Sequence, residues 1–331
     1  MTTHDRKACS AYLNLVCPPI SNTLAATITN KDEEIISRLR QSHFYMICGR
    51  SKARFGKLQR WDEEGRIEVE IKLDSGLSSY GYIHIQKMVF FRNAPSNFKI
   101  NVKGNDNFII VLYEGEIVFH VTPDELLMLR GRFQPVFSGF DNYREIMTFD
   151  MLYVGIAKEN QDSYSRLIAR GHKARMDILA GEEQRTPGAR VSDETYLLLF
   201  KIEPLTITTF SGPDDLDDED LNFTIDYHRL VADAEKAVVN VFRPKYNKQQ
   251  YVNYPKGKDG LYRQGYDGYS YSISEGMAFN TIYGTIKGAR DTMGYFLSND
   301  ADFISVNGDE VTLHISGQDF NVEIEETQPE E

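Results

Sequence analysis

Residues 65–120 read as extended chain, with apolar side chains at every second position in Arg66–Leu73, and this pattern constrains the chain more than any other feature. Ile67, Val69, Ile71 and Leu73 fall on one side of an extended segment, and Tyr80–Phe91 and Phe108–Val121 are rich in β-branched and aromatic residues. Turn residues separate these stretches at Asp74-Ser75-Gly76, Asn93–Ser96 and Gly104–Asn107. An antiparallel β domain is predicted, with one apolar face that needs a core. The chain can supply one: of 331 residues, 41% are hydrophobic and 12% aromatic, which excludes disorder as the main state. At roughly 100–200 residues per domain, two or three domains are expected. The apolar runs Phe108–Tyr113 and Tyr196–Phe200 are far short of a membrane span, so no membrane partner is expected. No long apolar stretch follows the N-terminal charges, which argues against a secretory signal. Cys9, Cys17 and Cys48 form no CxxC and no disulfide framework, which fits a reducing cytoplasm.

Elsewhere helices and strands mix. Lys31–Gln41 reads as a short helix with Asn30 as its N-cap. Thr122–Arg132 reads as a helix that opens with a cap, a first-position proline and first-turn acids. Tyr143–Met147 and Met151–Ile156 read as two strands of a hairpin around Thr148-Phe149-Asp150. A basic helix, Tyr164–Leu179, follows, then a loop at Glu182–Ser192 and an apolar strand, Thr195–Ile202, stopped by Pro204. Ser211–Asp220 reads as an acidic exposed loop. In Arg229–Phe242, Leu230, Ala234, Ala237, Val238 and Val241 share one helical face, and Pro244 ends the helix. Further strands are expected at Met277–Ile286, Phe303–Val306 and Val311–Ile315, ahead of a polar tail at Glu323–Glu331.

The net charge of −12 alone speaks against a nucleic-acid binder, but its distribution does not. Tyr266–Glu331 carries thirteen acids against Lys287 and Arg290. Arg38–Arg60 holds seven bases and no acid, and Arg229–Arg263 holds eight bases against three acids. Each run taken singly reads as a solvated face; together they allow a phosphate-facing surface. The acidic end is expected to keep the protein soluble; a sharper reading has it fold back over, or pair in an oligomer with, one of the basic segments.

One constellation carries chemistry. Tyr143 is followed by Tyr153-Val154-Gly155 at the end of the second hairpin strand, and the next helix holds Arg166, Arg170 and His172. Glu235 lies in the last long helix, with Arg243-Pro244-Lys245-Tyr246-Asn247 just beyond it. The order resembles the GIY-YIG nuclease family over about residues 138–250, chiefly through LYVGIA at 152–157 and the 235–247 segment. Asp141-Asn142-Tyr143 departs from the family's first tripeptide, Arg166 and His172 are six apart rather than four, and the acidic insert is extra. The resemblance implies an α+β chain: a central GIY-YIG-like domain (138–250), a three-stranded antiparallel sheet with flanking helices. Residues 1–137 would form a β-rich recognition or partner domain, and 251–331 an acidic β-rich extension with a flexible tail.

It also implies a metal-dependent endonuclease in restriction, repair or phage defence. Tyr143, Tyr153, Arg166, Arg170, His172, Glu235 and Asn247 would be catalytic, and Glu235 would hold Mg²⁺ or Mn²⁺. The residue types suit the task. One carboxylate can hold a Mg²⁺ that keeps most of its waters, a guanidinium can clamp a phosphate oxygen, and a tyrosine or histidine can orient or deprotonate water. Lys158, Lys173, Arg175, Arg243, Lys245 and Lys248 would contact DNA, with RNA left open, and a homo-oligomer or a regulatory protein partner is allowed for. Each residue also has a plain structural reading: Glu235 paired with a buried arginine, the tyrosines as packing, the arginines as a solvated helix face, Asn247 as a helix stop. The alternative function is a catalytically weak nucleic-acid-binding or assembly module of the same fold, or a protein–protein interaction protein. No zinc spacing, phosphate loop, dinucleotide fingerprint or serine-hydrolase motif competes.

Overall fold

Arg66–Leu73 folds as its alternation requires: Ile67, Val69, Ile71 and Leu73 are buried and the residues between them are not. In the computed structural model the described residues are 6–29, 31–59, 65–91, 99–157, 161–209, 225–293, 295–296 and 298–317. Their strands begin with β1 (Arg6–Leu15), β2 (Ile20–Ser21), β3 (Phe44–Gly49), β4 (Ala53–Gln59), β5 (Arg66–Leu73) and β6 (Ser78–His84). Next come β7 (Ile100–Gly104), β8 (Ile109–Tyr113), β9 (Glu116–Val121), β10 (Phe137–Gly139), β11 (Thr148–Ile156) and β12 (Thr195–Thr209). The last are β13 (Gly268–Ile273), β14 (Ala278–Thr281), β15 (Gly284–Lys287), β16 (Phe303–Asn307) and β17 (Glu310–His314). The helices are α1 (Asn22–Ala25), α2 (Glu33–Leu39), α3 (Pro123–Gly131), α4 (Tyr143–Ile146), α5 (Lys173–Gly181), α6 (Val191–Glu194) and α7 (Tyr227–Phe242).

The protein is mixed α+β and rich in sheet. The largest sheet runs β15-β14-β11-β3-β12-β1-β13-β16-β17, with β2 also on β12; β10-β6-β5-β4 and β7-β8-β9 form two smaller sheets. Strands from 1–137, 138–250 and 251–331 share the large sheet, so those boundaries do not separate it. At its centre β3 lies antiparallel between β11 and β12. All six residues of β3 are buried, so it carries an unbroken apolar run in place of the alternation that marks a half-exposed strand. Phe44, Met46 and Cys48 enter one core with Tyr196, Leu198 and Phe200 of β12 and Leu230, Ala234 and Val238 of α7. Tyr45 and Ile47 enter a second core with Leu197, Leu199, Ile36, Leu39, Leu167 and Ile178.

Several readings hold. Thr122 caps α3, its Oγ1 accepting from the Glu125 N–H at 3.3 Å. The last long helix forms, with Asp226 at its N-cap and Arg243 closing it in the left-handed conformation. Others change. Tyr143–Met147 is not a strand: Tyr143 opens the short helix α4, packed beside Gly131 and Gly276, where a side chain would collide. Thr148-Phe149-Asp150 is strand, not turn. The basic helix is broken into a π-helical turn, Ser165–Ala169, and α5, with Gly171 at φ 73° between them. Pro204 does not stop β12, which continues to Thr209 along β1. Asn30, the Ser211–Asp220 loop and the Glu323–Glu331 tail lie outside the described residues.

Candidate active site

The site begins with a β-bulge. In β11 the register against β3 shifts between Met151, opposite Cys48, and Tyr153, opposite Ile47. Since side chains alternate along a strand, the extra residue turns Tyr153 to the face that already carries Tyr45. The two tyrosine rings stack with centroids 6.3 Å apart. Gly155 sits opposite Tyr45, and a Cβ there would lie 2.8 Å from both the Tyr45 hydroxyl and the Tyr153 ring. The glycine of Tyr153-Val154-Gly155 is thus the space that the tyrosine pair occupies.

The chain after β11 supplies the next residues. The π-helical turn holds Arg166, and Gly171 lets the chain reverse before α5. His172 then stands at the N-cap of α5, its ring 5.9 Å from that of Tyr45 and 5.5 Å from that of Tyr153. Its Nε2 is 3.3 Å from the Tyr45 hydroxyl. The extra residues between Arg166 and His172 are the π turn and the glycine break. From the other side α7 brings Glu235, whose Oε2 accepts from the Tyr251 hydroxyl at 3.3 Å. Asn247 completes the edge of β11: its Oδ1 accepts from Val154 N–H at 2.9 Å and its Nδ2 donates to Val154 C=O at 2.8 Å. Beside it the Tyr246 N–H donates to Leu152 C=O, so residues 246–247 continue the sheet where β14 has ended.

Tyr153, His172, Lys173, Asp177, Glu235 and Lys248 line one open cleft of about 300 Å³, together with Tyr246, Asn247 and Tyr251. Tyr45 lies fully buried beneath it. Burial, and then the charge of Arg166, lower the pKa of His172, so its imidazole is neutral at pH 7. Burial raises the Tyr153 and Tyr45 phenols, although Arg166 opposes the shift, so neither tyrosine loses its proton readily. Burial also pushes Glu235 up to about 7, against the hydrogen bond from Tyr251 and the charge of Arg166. Such an under-compensated carboxylate suits a cation. Among the described residues no group of three or more His, Cys, Asp or Glu gathers as a metal cluster; Glu235 is the half-buried carboxylate that could hold an ion here, with Asp177 exposed on the same cleft.

The expected site residues divide. Tyr153, Arg166, His172, Glu235 and Asn247 come together, Arg166 through its electrostatic coupling to Tyr45, Tyr153, His172 and Glu235. Tyr143 does not: its ring lies under Arg130, 5.3 Å from the guanidinium, on α4. Arg170 is exposed at the end of the π turn. Sequence reading missed Tyr45 and Tyr251. The apolar run FYMICG was a signal for a buried strand at Tyr45, but its pairing with β11 has no local signal.

The basic residues divide too. Lys173 and Lys248 are exposed on the cleft. Arg175 instead anchors α5, donating to Asn22 Oδ1 and, at 2.7 Å, to Leu167 C=O. Lys245 pairs with Glu182 at 2.7 Å, Arg243 is exposed just beyond α7, and Lys158 lies outside the described residues. The Arg38–Arg60 run is no single phosphate face: Arg50 is buried between the Phe149 and Tyr196 rings and paired with Asp124 at 2.6 Å. Of the acidic end, Asp309 pairs with Lys256 at 2.9 Å, while Asp302 is buried and accepts backbone N–H bonds from Lys287 and Ser316.

No protein-family model, curated protein or solved structure matches this chain. Among the described residues no helix is long and apolar enough to cross a membrane.

Proposed function

We propose that the protein is a metal-dependent endonuclease of the GIY-YIG type that hydrolyses phosphodiester bonds in DNA. One observation carries the reading: Tyr45 and Glu235, each remote in sequence from Tyr153, Arg166 and His172, meet them at one end of three antiparallel strands beside an open cleft. Tyr45 takes the part that the family gives to its first tyrosine, on the strand antiparallel to Tyr153-Val154-Gly155. In this reading Glu235 holds Mg²⁺ or Mn²⁺, which supplies positive charge beside the scissile phosphate. Arg166 binds a non-bridging oxygen through its planar fork. His172 is neutral at pH 7, and its Nδ1 is buried without a partner among the described residues. It therefore takes a proton at Nε2 from the Tyr45 hydroxyl, which takes one from Tyr153, which takes that of the attacking water. Tyr153 orients that water as a protonated phenol. Lys173 and Lys248 steer the phosphate backbone into the cleft.

The test is incubation of the purified protein with plasmid, single-stranded DNA and RNA, with Mg²⁺, Mn²⁺ or chelator. Cleavage of DNA that chelator stops, and that a folded Glu235→Ala protein lacks, is the expected result. Near-wild-type cleavage by Glu235→Ala, or no cleavage under any of these conditions, overturns the reading.

A further inference from the structure

Tyr251 belongs to none of the residues that drew attention to this site, yet it is held in an unusual way. Its φ is 46°, in the left-handed region that bulky side chains rarely adopt. Two hydrogen bonds fix that conformation. The Tyr251 carbonyl accepts from Asn240 Nδ2 at 2.9 Å and from the Tyr254 N–H at 2.9 Å. Asn240 lies on α7, as does Glu235. The helix thus grips the backbone of Tyr251 through Asn240, and the Tyr251 hydroxyl reaches back to Glu235 Oε2 at 3.3 Å. The ring lines the same cleft and is only half-buried, so water could have satisfied its hydroxyl without this arrangement. Among the described residues Glu235 Oε1 accepts no hydrogen bond, and a strained turn directs a donor onto Oε2 alone.

We propose that Tyr251 is a positioning residue for the Glu235 carboxylate: its hydroxyl fixes Oε2 and leaves Oε1 to bind a divalent cation. This rests on the metal-dependent reading above. Partners that orient a ligating carboxylate are part of the metal site, and losing one costs about 10–100-fold in metal affinity or activity.

The experiment measures Mn²⁺ binding by electron paramagnetic resonance on the full chain without DNA, and separately the Mg²⁺ dependence of DNA cleavage. Tyr251→Phe removes one oxygen and keeps the ring. It should weaken Mn²⁺ binding by about 10–100-fold and raise the Mg²⁺ needed for half-maximal cleavage to match, with the rate at saturating Mg²⁺ close to wild type. Asn240→Ala frees the backbone of Tyr251 while leaving its hydroxyl in place, and should weaken Mn²⁺ binding in the same direction; it decides the matter should Tyr251→Phe not fold. Glu235→Ala locates the bound ion, and should abolish its signal. Equal Mn²⁺ affinity in wild type, Tyr251→Phe and Asn240→Ala overturns the role of Tyr251 while leaving the metal site standing. No Mn²⁺ binding by the wild type, or unchanged binding by Glu235→Ala, overturns the metal reading and this proposal with it.

Discussion

Exchanging Glu235 for glutamine should stabilise the metal-free protein above neutral pH while it abolishes cleavage. Burial raises the Glu235 pKa from the ordinary 4.5 to about 7. The folded protein therefore holds this proton more tightly than the unfolded chain does. The stability it contributes is fully present below about pH 4.5 and is lost as pH rises through about 7. At about 1.4 kcal/mol per unit, the loss reaches about 3 kcal/mol when both states are ionised. Glutamine fills the same space, still offers Tyr251 an oxygen, and carries no charge at any pH. The measurement is urea unfolding of both proteins in chelator, followed by circular dichroism from about pH 4.5 to about pH 8.5. Any fixed cost of burying the amide shifts all points equally, and His172 titrates in both proteins, so both effects cancel from the trend. The stability of the variant relative to wild type should rise by about 3 kcal/mol across the range. A difference that stays flat with pH would show that Glu235 ionises without penalty, and the argument for a cation-seeking carboxylate would fail with it.

Two further outcomes follow from the site's geometry. Asn247→Ala removes both side-chain bonds to Val154 and leaves a buried N–H and C=O unpaired, so it should destabilise the fold by about 2–4 kcal/mol in the same unfolding assay. Tyr45→Phe should lower plasmid cleavage by about 10²-fold, since His172 loses the hydroxyl that holds its Nε2. Tyr143→Phe, remote from the cleft on α4, should leave cleavage unchanged; the reverse ranking would overturn the assignment of the paired strands.

What could be read from the sequence was set by how local its cause is. The β5 alternation, the Thr122 cap and the apolar stripe of α7 are written in neighbouring residues, and each formed as expected. The five site residues that converge were legible because they follow in order along the segment from Tyr153 to Asn247. Tyr45 was not, because its partner strand is far away in sequence and pairing leaves no mark on either strand alone. Tyr143 fits the local pattern instead because it stands a hairpin's length before Tyr153. Its ring packs against the bare backbone of Gly131 and Gly276, a contact between distant segments that outweighs local strand propensity. Tyr251 escaped notice for the same reason: only its fold-dependent turn aims it at Glu235.

The separation of Tyr45 from Tyr153 does not weaken the strand pair that carries them. The chain leaves β3 at Gly49 and rejoins the sheet in β11, where Asp150 lies directly opposite Gly49. The long connection from β3 to β11 thus begins and ends at adjacent positions. Closing a loop costs free energy only in proportion to the logarithm of its length, so a long connection costs little more than a short hairpin would. Arg50, the first residue after β3, pins the exit: it donates to Ile146 C=O, pairs with Asp124 of α3 and contacts the rings of Phe149 and Tyr196. One buried guanidinium therefore joins the start of this connection, its helix α3 and the strands on either side of β3. Tyr45, Gly155 and Tyr153 lie toward the other end of the same strand pair, where β3 begins and β11 ends. The connection at the Gly49 end can therefore carry its own sheets and contribute to the core without altering the register that brings the tyrosines together.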